Sequence, residues 1–269
     1  MQIPLISIII PTFNSGATLA IALESIVHQT FKNWELIIID GGSADTTLVI
    51  AKEYQVIVPE AIKIHSEKDK GIYDAMNKAI DIAKGDWLYF MGSDDSLYET
   101  TTLEKISNLE ALKNYEVVYG NVTSPRFNGV YAGEFTYSKL TNQNICHQAI
   151  FFNKAVFKKI GKFNLKYTAH ADWDHNIRWF FSSKIKQIYS NLIIANYADG
   201  GFSSQGDAVF EKDKNSVFLN RGIGKLPVSL LINFCLKLVN IKNFSIYNFK
   251  WRNLYIMKQG TKLLRKLVK

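Results

Sequence analysis

The sequence predicts an α/β protein: a mostly parallel sheet with helices on both faces, followed by a basic helical extension. Three observations predict it. Short β-branched runs alternate with amphipathic stretches of ten to fifteen residues through the first ninety or so positions. Acidic and glycine-rich turns follow the strands rather than precede them. The last acidic residue is Asp213, and twelve basic residues follow it.

Leu5 to Ile10 is a continuous β-branched run closed by Pro11, the pattern of a strand buried on both faces. Asn14 or Ser15 is placed to cap a helix running to about Gln29, with Leu19, Leu23, Ile26 and Val27 on one face. Glu35 to Ile39 reads as a second strand, ending in Asp40-Gly41-Gly42-Ser43, and Ser43 or Asp45 caps a helix to about Tyr54. Ile62 to His65 is a short strand. Gly71 to Lys84 carries Ile72, Met76, Ala79, Ile80 and Ala83 at helical spacing and is stopped by Gly85. Trp87 to Met91 is a strand ending in Gly92-Ser93-Asp94-Asp95. Beyond Tyr98 the rhythm loosens into α+β: a helix from about Thr100 to Leu112, a strand at Glu116 to Tyr119, and a hairpin-like stretch from Asn121 to Phe135. A strand at Ala149 to Phe152, helices at Lys154 to Ile160 and Asp172 to Phe181, and a strand within Ile185 to Tyr197 complete it. Residues 1–98 and 99–213 thus form two halves of one domain that wall a cleft, and 214–269 form a tail.

Composition narrows the class. An apolar fraction of 47% with only five prolines excludes a disordered chain. Two cysteines, Cys146 and Cys235, make no disulfide framework, so a reducing, cytoplasmic setting is expected. Met1 to Phe13 lacks the basic leader and small-residue cleavage site of a signal peptide and reads as the first strand. The net charge of +8 is misleading, because the tail holds twelve of the 32 basic residues and residues 1–213 hold 20 against 24 acidic. A mildly acidic body with a basic tail is not a nucleic-acid binder, and the tail is suited to an anionic surface. Leu226 to Ile241 is broken by Ser229, Asn233 and Lys237, too short a run to span a membrane. Lys262, Arg265, Lys266 and Lys269 interleave with Leu263, Leu264 and Leu267 as in an interfacial helix. A solvated helical pair packed on the body explains the tail equally well.

Acids at strand ends mark a crevice. Asp40 and Asp94-Asp95 follow neighbouring strands, and in an open parallel sheet such ends face the ligand. Asp40 and Ser43 are also ordinary turn and cap residues. No G-x-G-x-x-G follows the first strand, where Pro11-Thr12-Phe13-Asn14 stands, and no G-x-x-x-x-G-K-[ST] occurs. Without a phosphate-cradling loop, a divalent cation held by Asp94 and Asp95 is the way left to neutralise phosphates, which argues against a dinucleotide oxidoreductase. The segment His170-Ala171-Asp172-Trp173-Asp174-His175 makes a poor zinc site, since its ligand types do not share one helix face. It reads either as a helix start with dipole-matched acids or as the place where Asp172 projects into the cleft as a general base. Cys146 and His147, adjacent on a strand, face opposite ways and form no nucleophile pair.

Four ordered segments then carry a resemblance: Ser7-Ile8-Ile9-Ile10-Pro11-Thr12-Phe13-Asn14, Ile38-Ile39-Asp40-Gly41-Gly42-Ser43-Ala44-Asp45, Glu67-Lys68-Asp69-Lys70-Gly71-Ile72-Tyr73-Asp74-Ala75-Met76-Asn77-Lys78 and Gly85-Asp86-Trp87-Leu88-Tyr89-Phe90-Met91-Gly92-Ser93-Asp94-Asp95. The chain resembles family 2 glycosyltransferases of bacterial cell-surface polysaccharide biosynthesis, strongly over Leu5 to Tyr98, more weakly to Tyr197, and not in the tail. The resemblance implies a GT-A fold and inverting transfer from a nucleotide-diphosphate sugar, UDP favoured, to a hydroxyl of a glycan or lipid-linked glycan, with Mn²⁺ or Mg²⁺. It implies that Thr12 and Phe13 lie against the nucleoside and that Asp40 bonds the base. Asn14, Gly42, Ser43, Asp69, Gly71, Asn77 and Asp94 are implied on the nucleotide and donor side. Asp95, with Asp94, is implied as metal ligand, Asp172 as catalytic base, and His147, Gln148 and Trp173 on the acceptor side. By the resemblance, residues 1–98 are the donor half, 99–213 the acceptor half, and the tail docks at the inner face of the plasma membrane. The family commonly has aspartate where Gly41 and Gly92 stand. Two rivals share the sheet. A nucleotidyltransferase would show a basic glycine-rich loop after strand one, which Pro11 to Gly16 does not offer. A non-catalytic nucleotide-sugar-binding module would bind donor without turnover.

Overall fold

A computed structural model describes residues 5–125, 128–131, 133–198 and 206–239. The chain divides into two compact units, 1–210 and 211–269. In the first, strands β1 (Ile6–Thr12), β2 (Trp34–Asp40), β3 (Ile62–Ser66) and β4 (Trp87–Phe90) are mutually parallel, in the spatial order β3-β2-β1-β4. Helices α1 (Leu19–Val27), α2 (Thr47–Ile57) and α3 (Ile72–Ile82) connect them. Every residue of β1, β2 and β4 is buried, as their unbroken apolar runs require. The sheet then continues through β8 (Ile150–Asn153), β6 (Val117–Ser124), β9 (Gln187–Asn196) and the two-residue β5 (Ser96–Leu97), with β7 (Gly129–Tyr131) hairpinned onto β6. Strand β8 is antiparallel to both β4 and β6, and β9 is parallel to β6. It follows that β6 and β9 run in the direction of β1 and β4, so the C-terminal ends of all these strands and the N-terminal end of β8 share one edge.

Several boundaries differ from the sequence reading, each for a local reason. β1 runs through Pro11 to Thr12 because β4 pairs only Ile6 to Ile9, leaving the missing Pro11 donor without a required partner. α1 starts at Leu19, not at Asn14 or Ser15, because residues 15–18 form a turn in which Thr18 N and Leu19 N both donate to Ser15 O. The single helix expected over Thr100 to Leu112 is two, α4 (Thr102–Ser107) and α5 (Ala111–Asn114), broken at Ser107-Asn108, weak helix formers. Residues 147–149 form a 3-10 turn where the sequence suggests strand. β6 is longer than expected and shifts register against β9 at Gly120, where a side chain would collide with the Leu192 carbonyl.

The remaining helices are α6 (Tyr137–Leu140), α7 (Ala155–Ile160), α8 (Ala171–Phe180), α9 (Ala208–Gly222) and α10 (Val228–Val239). In the second unit Phe218 of α9 stacks on Phe234 of α10 at 5.7 Å. No helix among the described residues is long and apolar enough to cross a membrane. The amphipathic stretch Lys262 to Lys269 lies outside the described residues.

One buried charge ties the sheet to its first connections. The Glu35 carboxylate accepts from Ser7 Oγ, Lys84 N and Lys63 Nζ. Burial alone would raise its pKa, but those donors outweigh it and hold the pKa below the ordinary glutamate value. A depressed acid stabilises the fold above its unfolded pKa and loses that contribution as pH falls through the folded value. Glu35→Gln, which turns an amide toward three donors, is expected to cost about 2 kcal/mol at neutral pH. Denaturant melts should show the gap to wild type closing below about pH 4.5.

Candidate active site

Between β1 and β4 the strand order reverses, since β1 is flanked by β2 on one side and β4 on the other. Open α/β sheets hold ligands at this point, outside the carboxyl ends of the strands. Here lies a cavity of about 680 Å³ lined by Thr12, Phe13, Asn14, Asp69, Gly71, Tyr73, Asp94, Asp95, His147, Gln148 and Tyr197, among others. Phe13 presents its ring at 65% exposure, a large apolar surface with no core to join. The structure therefore gathers nine of the sequence-derived site residues in the wall of one cavity: Thr12, Phe13, Asn14, Asp69, Gly71, Asp94, Asp95, His147 and Gln148.

Asp40, Gly42 and Ser43 are not on that wall. Asp40 is fully buried, and its carboxylate accepts from Ser66 Oγ, Gly42 N, Ser43 N and Ser43 Oγ, with Thr12 Oγ1 at 3.4 Å. Burial would raise its pKa, and these donors pull it below the ordinary value. These contacts fix the turn after β2. Gly42 takes φ of +88°, which lets its N–H and that of Ser43 both reach Asp40. Asn14, itself at φ +49°, latches the neighbouring loop to this turn: its N–H donates to Ser43 Oγ and its Oδ1 accepts from Ala44 N. Ser93 Oγ donates to Ser15 Oγ, and Ser15 N donates to Thr47 Oγ1. The loops after β1, β2 and β4 are thus fastened together before any ligand arrives.

The two glycines that stand where the family commonly has aspartate each make room for a carboxylate. A methyl built on Gly41 would sit 2.7 Å from Asp69 Oδ2. One built on Gly92 would sit 2.6 Å from Asp95 Oδ2 and 2.7 Å from Asp94 Oδ1. Asp94 and Asp95 therefore converge above a bare backbone. Asp94 is exposed, whereas Asp95 is 2% exposed and held by Gly92 N (3.0 Å), Gln148 Nε2 (2.7 Å) and Ala198 N (2.9 Å). Burial pushes the Asp95 pKa up, and the Asp94 charge adds to that push against the lowering effect of its hydrogen bonds. Two oxygen-bearing carboxylates crowded together, one desolvated, fit a hard divalent cation, which would relieve both penalties. Among the described residues no group of three His, Cys, Asp or Glu side chains forms a complete cage, so such an ion would take its other oxygens from ligand or water. Gly92→Ala is expected to push the two carboxylates apart, weakening Mn²⁺ affinity about tenfold with the fold retained, as calorimetry and circular dichroism would show.

On the far wall, Asp172 does not project into the cavity as the sequence reading has it. It is 4% exposed at the second position of α8. Trp173 N (2.8 Å) donates to Oδ1, beside which the Tyr73 hydroxyl also stands at 2.9 Å; Asn144 Nδ2 (2.9 Å) and His147 Nδ1 (3.4 Å) meet Oδ2. Tyr73 and His147, both on the cavity wall, stand beside it. The start of α8 is fixed by Asp207, whose carboxylate accepts from Ala169 N and His170 N. Trp173 is also off the wall: it is 8% exposed, donates to Leu140 O and packs on Phe210, which makes it core. Asn77 likewise faces away, its amide clamping both the N–H and C=O of Phe163. The rest of the 170–175 segment disperses, with Asp174 paired to Arg178 and His175 among Phe152, Phe157 and Phe163.

Sequence reasoning missed Tyr73, Asn144, Asp207 and Tyr197. Tyr73 lies inside one of the four motifs at helical spacing with Met76 and Ile80, a pattern that marks a buried face and not a site residue. Asn144 and Tyr197 carry no local signal, because the side-chain partner of the first and the backbone partner of the second lie 28 or more residues away, whereas Asp207 also accepts from Phe210 N and reads locally only as the cap of α9.

Comparison with known proteins fits this geometry. Residues 7–183 match the family described as Glycosyl transferase family 2. A PGL/p-HBAD biosynthesis glycosyltransferase of Mycobacterium bovis is 39% identical over 246 residues, covering 91% of this chain and 92% of that protein. Among solved structures, residues 1–349 of Staphylococcus aureus TarS in complex with UDP-GlcNAc give a TM-score of 0.66 at 19% identity, covering 86% of this chain and 71% of that one. The mannosyltransferase PcManGT of Pyrobaculum calidifontis, in complex with GDP-Man and Mn²⁺, gives 0.63 at 14%, covering 98% and 81%. At such identities the structural likeness speaks for the fold, and the sequence matches speak for the family. The chain belongs to glycosyl transferase family 2 and is a glycosyltransferase of GT-A fold.

Proposed function

We propose that the protein transfers a sugar, with inversion, from a UDP-sugar to a hydroxyl of a glycan or lipid-linked glycan in bacterial cell-surface glycan synthesis. The observation that carries this reading is the convergence of Asp94 and Asp95 over Gly92, in one cavity with exposed Phe13 and with no phosphate-cradling glycine loop. Solved relatives in complex with UDP-GlcNAc and with GDP-Man support the donor class. The nucleobase stacks on Phe13, with Thr12 and Asn14 beside it, and the loop shaped by Asp40 holds that surface rigid. Asp69 and Gly71 border the donor sugar. Asp94 and Asp95 would hold Mn²⁺ or Mg²⁺, which supplies charge neutralisation for the departing diphosphate. The acceptor enters beside His147 and Gln148, and Asp172, which lies behind the cavity lining and meets His147 Nδ1 and the Tyr73 hydroxyl there, is the base of a single displacement at an oxocarbenium-like centre, drawing the hydroxyl proton by way of those lining residues. Residues 1–98 are the donor half and 99–213 the acceptor half.

The test is incubation with a panel of UDP-, GDP- and dTDP-sugars, with Mn²⁺ or EDTA, reading nucleotide release and donor-induced melting shifts. Metal-dependent release from a UDP-sugar is the expected result. No release combined with no melting shift from any donor would overturn the reading.

The basic tail, residues 214–269, is proposed to dock on an anionic membrane surface, where each Lys or Arg near the surface contributes about 1 kcal/mol. Cosedimentation with anionic liposomes should be lost on truncation after Gly224. A full-length protein that ignores such liposomes would contradict it.

A further inference from the structure

Asp172 is buried, His147 lines the cavity, and the two are in contact. His147 Nδ1 stands 3.4 Å from Asp172 Oδ2, long for a hydrogen bond and common in catalytic pairs before a ligand closes on them. The carboxylate is held from behind. Asn176 Nδ2 donates to Asn144 Oδ1 at 2.8 Å, which turns the Asn144 amide nitrogen toward Asp172 Oδ2, while Trp173 N holds Oδ1. The histidine is held along its backbone. The adjacent Gln148 donates its amide to Asp95 and accepts the Tyr89 hydroxyl on its carbonyl at 3.0 Å, and Ala149 N closes the turn onto Cys146 O. Carboxylate and ring are thus each anchored independently of the other.

The partner sets the tautomer. A carboxylate oxygen accepts, so in the neutral ring Nδ1 carries the hydrogen and the lone pair is left on Nε2. Nε2 is buried and has no hydrogen-bond partner among the described residues. An unmet buried lone pair carries a desolvation cost, which the O–H of a ligand would offset. Tyr73 is the other lining residue that meets Asp172, and it cannot take a proton. Its hydroxyl has one hydrogen to give, with Ala169 O and Asp172 Oδ1 both at 2.9 Å, and burial together with the Asp172 charge pushes the phenol pKa well above its ordinary value. We propose that His147 Nε2 is the atom that takes the acceptor's proton, with Asp172 stabilising the imidazolium that results. The base is then a histidine–aspartate pair, and His147 is the member that touches substrate. This rests on the transferase reading of the cavity and deepens it. As the acceptor oxygen bonds to the anomeric carbon, the bond from that carbon to the diphosphate breaks and its electron pair leaves with the diphosphate. The acceptor's hydrogen moves to Nε2, and the imidazolium later returns it to water.

Two measurements on the full chain test it. With ¹⁵N-labelled histidine, NMR at neutral pH should show the His147 ring protonated on Nδ1 and bare on Nε2, its signals identified by their loss in His147→Asn. A ring protonated on Nε2, alone or as imidazolium, would overturn the proposal. The second measurement compares His147→Asn with wild type in passing sugar from UDP-GlcNAc or UDP-glucose to water and to azide, with Mn²⁺ present. The asparagine amide can take the place of Nδ1 against Asp172 but offers nothing at Nε2. Water must lose a proton as it attacks, whereas azide is already an anion and needs no base. Turnover to water should fall about 100-fold or more, and turnover to azide by less than about tenfold. UDP affinity by calorimetry should stay within about twofold of wild type. A disturbed fold would slow both nucleophiles alike, so equal losses with water and azide, or no loss with either, would overturn the role of His147. If wild type binds no UDP, the donor reading fails instead, and the histidine spectrum still decides whether the pair is set to take a proton.

Discussion

Asp172→Asn is expected to lower sugar transfer by about 10³-fold while leaving UDP affinity within about twofold of wild type. Asparagine keeps the volume and an oxygen, so the hydrogen bonds from Tyr73 and Trp173 N have an acceptor to keep. What disappears is the negative charge that draws the acceptor proton, together with the acceptor for Asn144 Nδ2 and the carboxylate neighbour of His147 Nδ1. The nucleotide contacts proposed for Thr12, Phe13 and Asn14 lie across the cavity and should not respond. Steady-state transfer and calorimetric UDP titration check the two halves separately. Equal turnover by variant and parent would remove Asp172 from the mechanism, and a large loss of UDP affinity would show that its role is structural.

Asp95→Asn should be nearly as damaging, for two separable reasons. The carboxylate satisfies Gly92 N, Gln148 Nε2 and Ala198 N at once, and an amide must turn its NH₂ toward one of these donors. That mismatch is expected to cost about 2 kcal/mol, roughly 4–8 °C in Tm. The second loss is the desolvated charge proposed to hold the cation, worth several kcal/mol at the departing diphosphate and so about 100-fold or more in rate. Thermal melts with and without Mn²⁺ distinguish the two. Wild type should gain stability from Mn²⁺ and the variant should not. A variant that keeps both metal response and turnover would place the cation elsewhere.

Both expectations depend on one 3-10 turn. His147 reaches Asp172 and the adjacent Gln148 reaches Asp95, so residues 147–149 tie the proposed base to the proposed metal ligand. The N-terminal end of β8 lies at this edge because β8 runs antiparallel between β4 and β6.

That arrangement also marks where the sequence stops being legible. The first four strands were readable because burial on both faces leaves long β-branched runs, and because the acids at their ends are local in the chain. Seven of the nine residues on the cavity wall came from the same contiguous motifs, and His147 and Gln148 from the resemblance beyond them. Asp172 was identified as a candidate, but its burial was not, because Tyr73 and Asn144 approach it from 99 and 28 residues away. Trp173 and Asn77 illustrate the same limit. Each sits in a familiar string, yet its side chain is turned into the protein by packing on Phe210 and by the Phe163 backbone. Gly41 and Gly92 read as departures from a pattern until the positions of Asp69, Asp94 and Asp95 showed what occupies the missing side chains' space. The reversal of β8, which brings Thr123 and Asn196 to the same edge as Thr12, left no periodic mark at all.

On the proposed reading a nucleotide sugar binds at the reversal between β1 and β4, with its diphosphate over Gly92. A crystal structure of Asp172→Asn soaked with UDP and Mn²⁺ tests it most directly. The base should stack on Phe13, with Mn²⁺ bridging the diphosphate to Asp94 and Asp95. UDP bound away from Phe13, or a cation bound without either carboxylate, would contradict it.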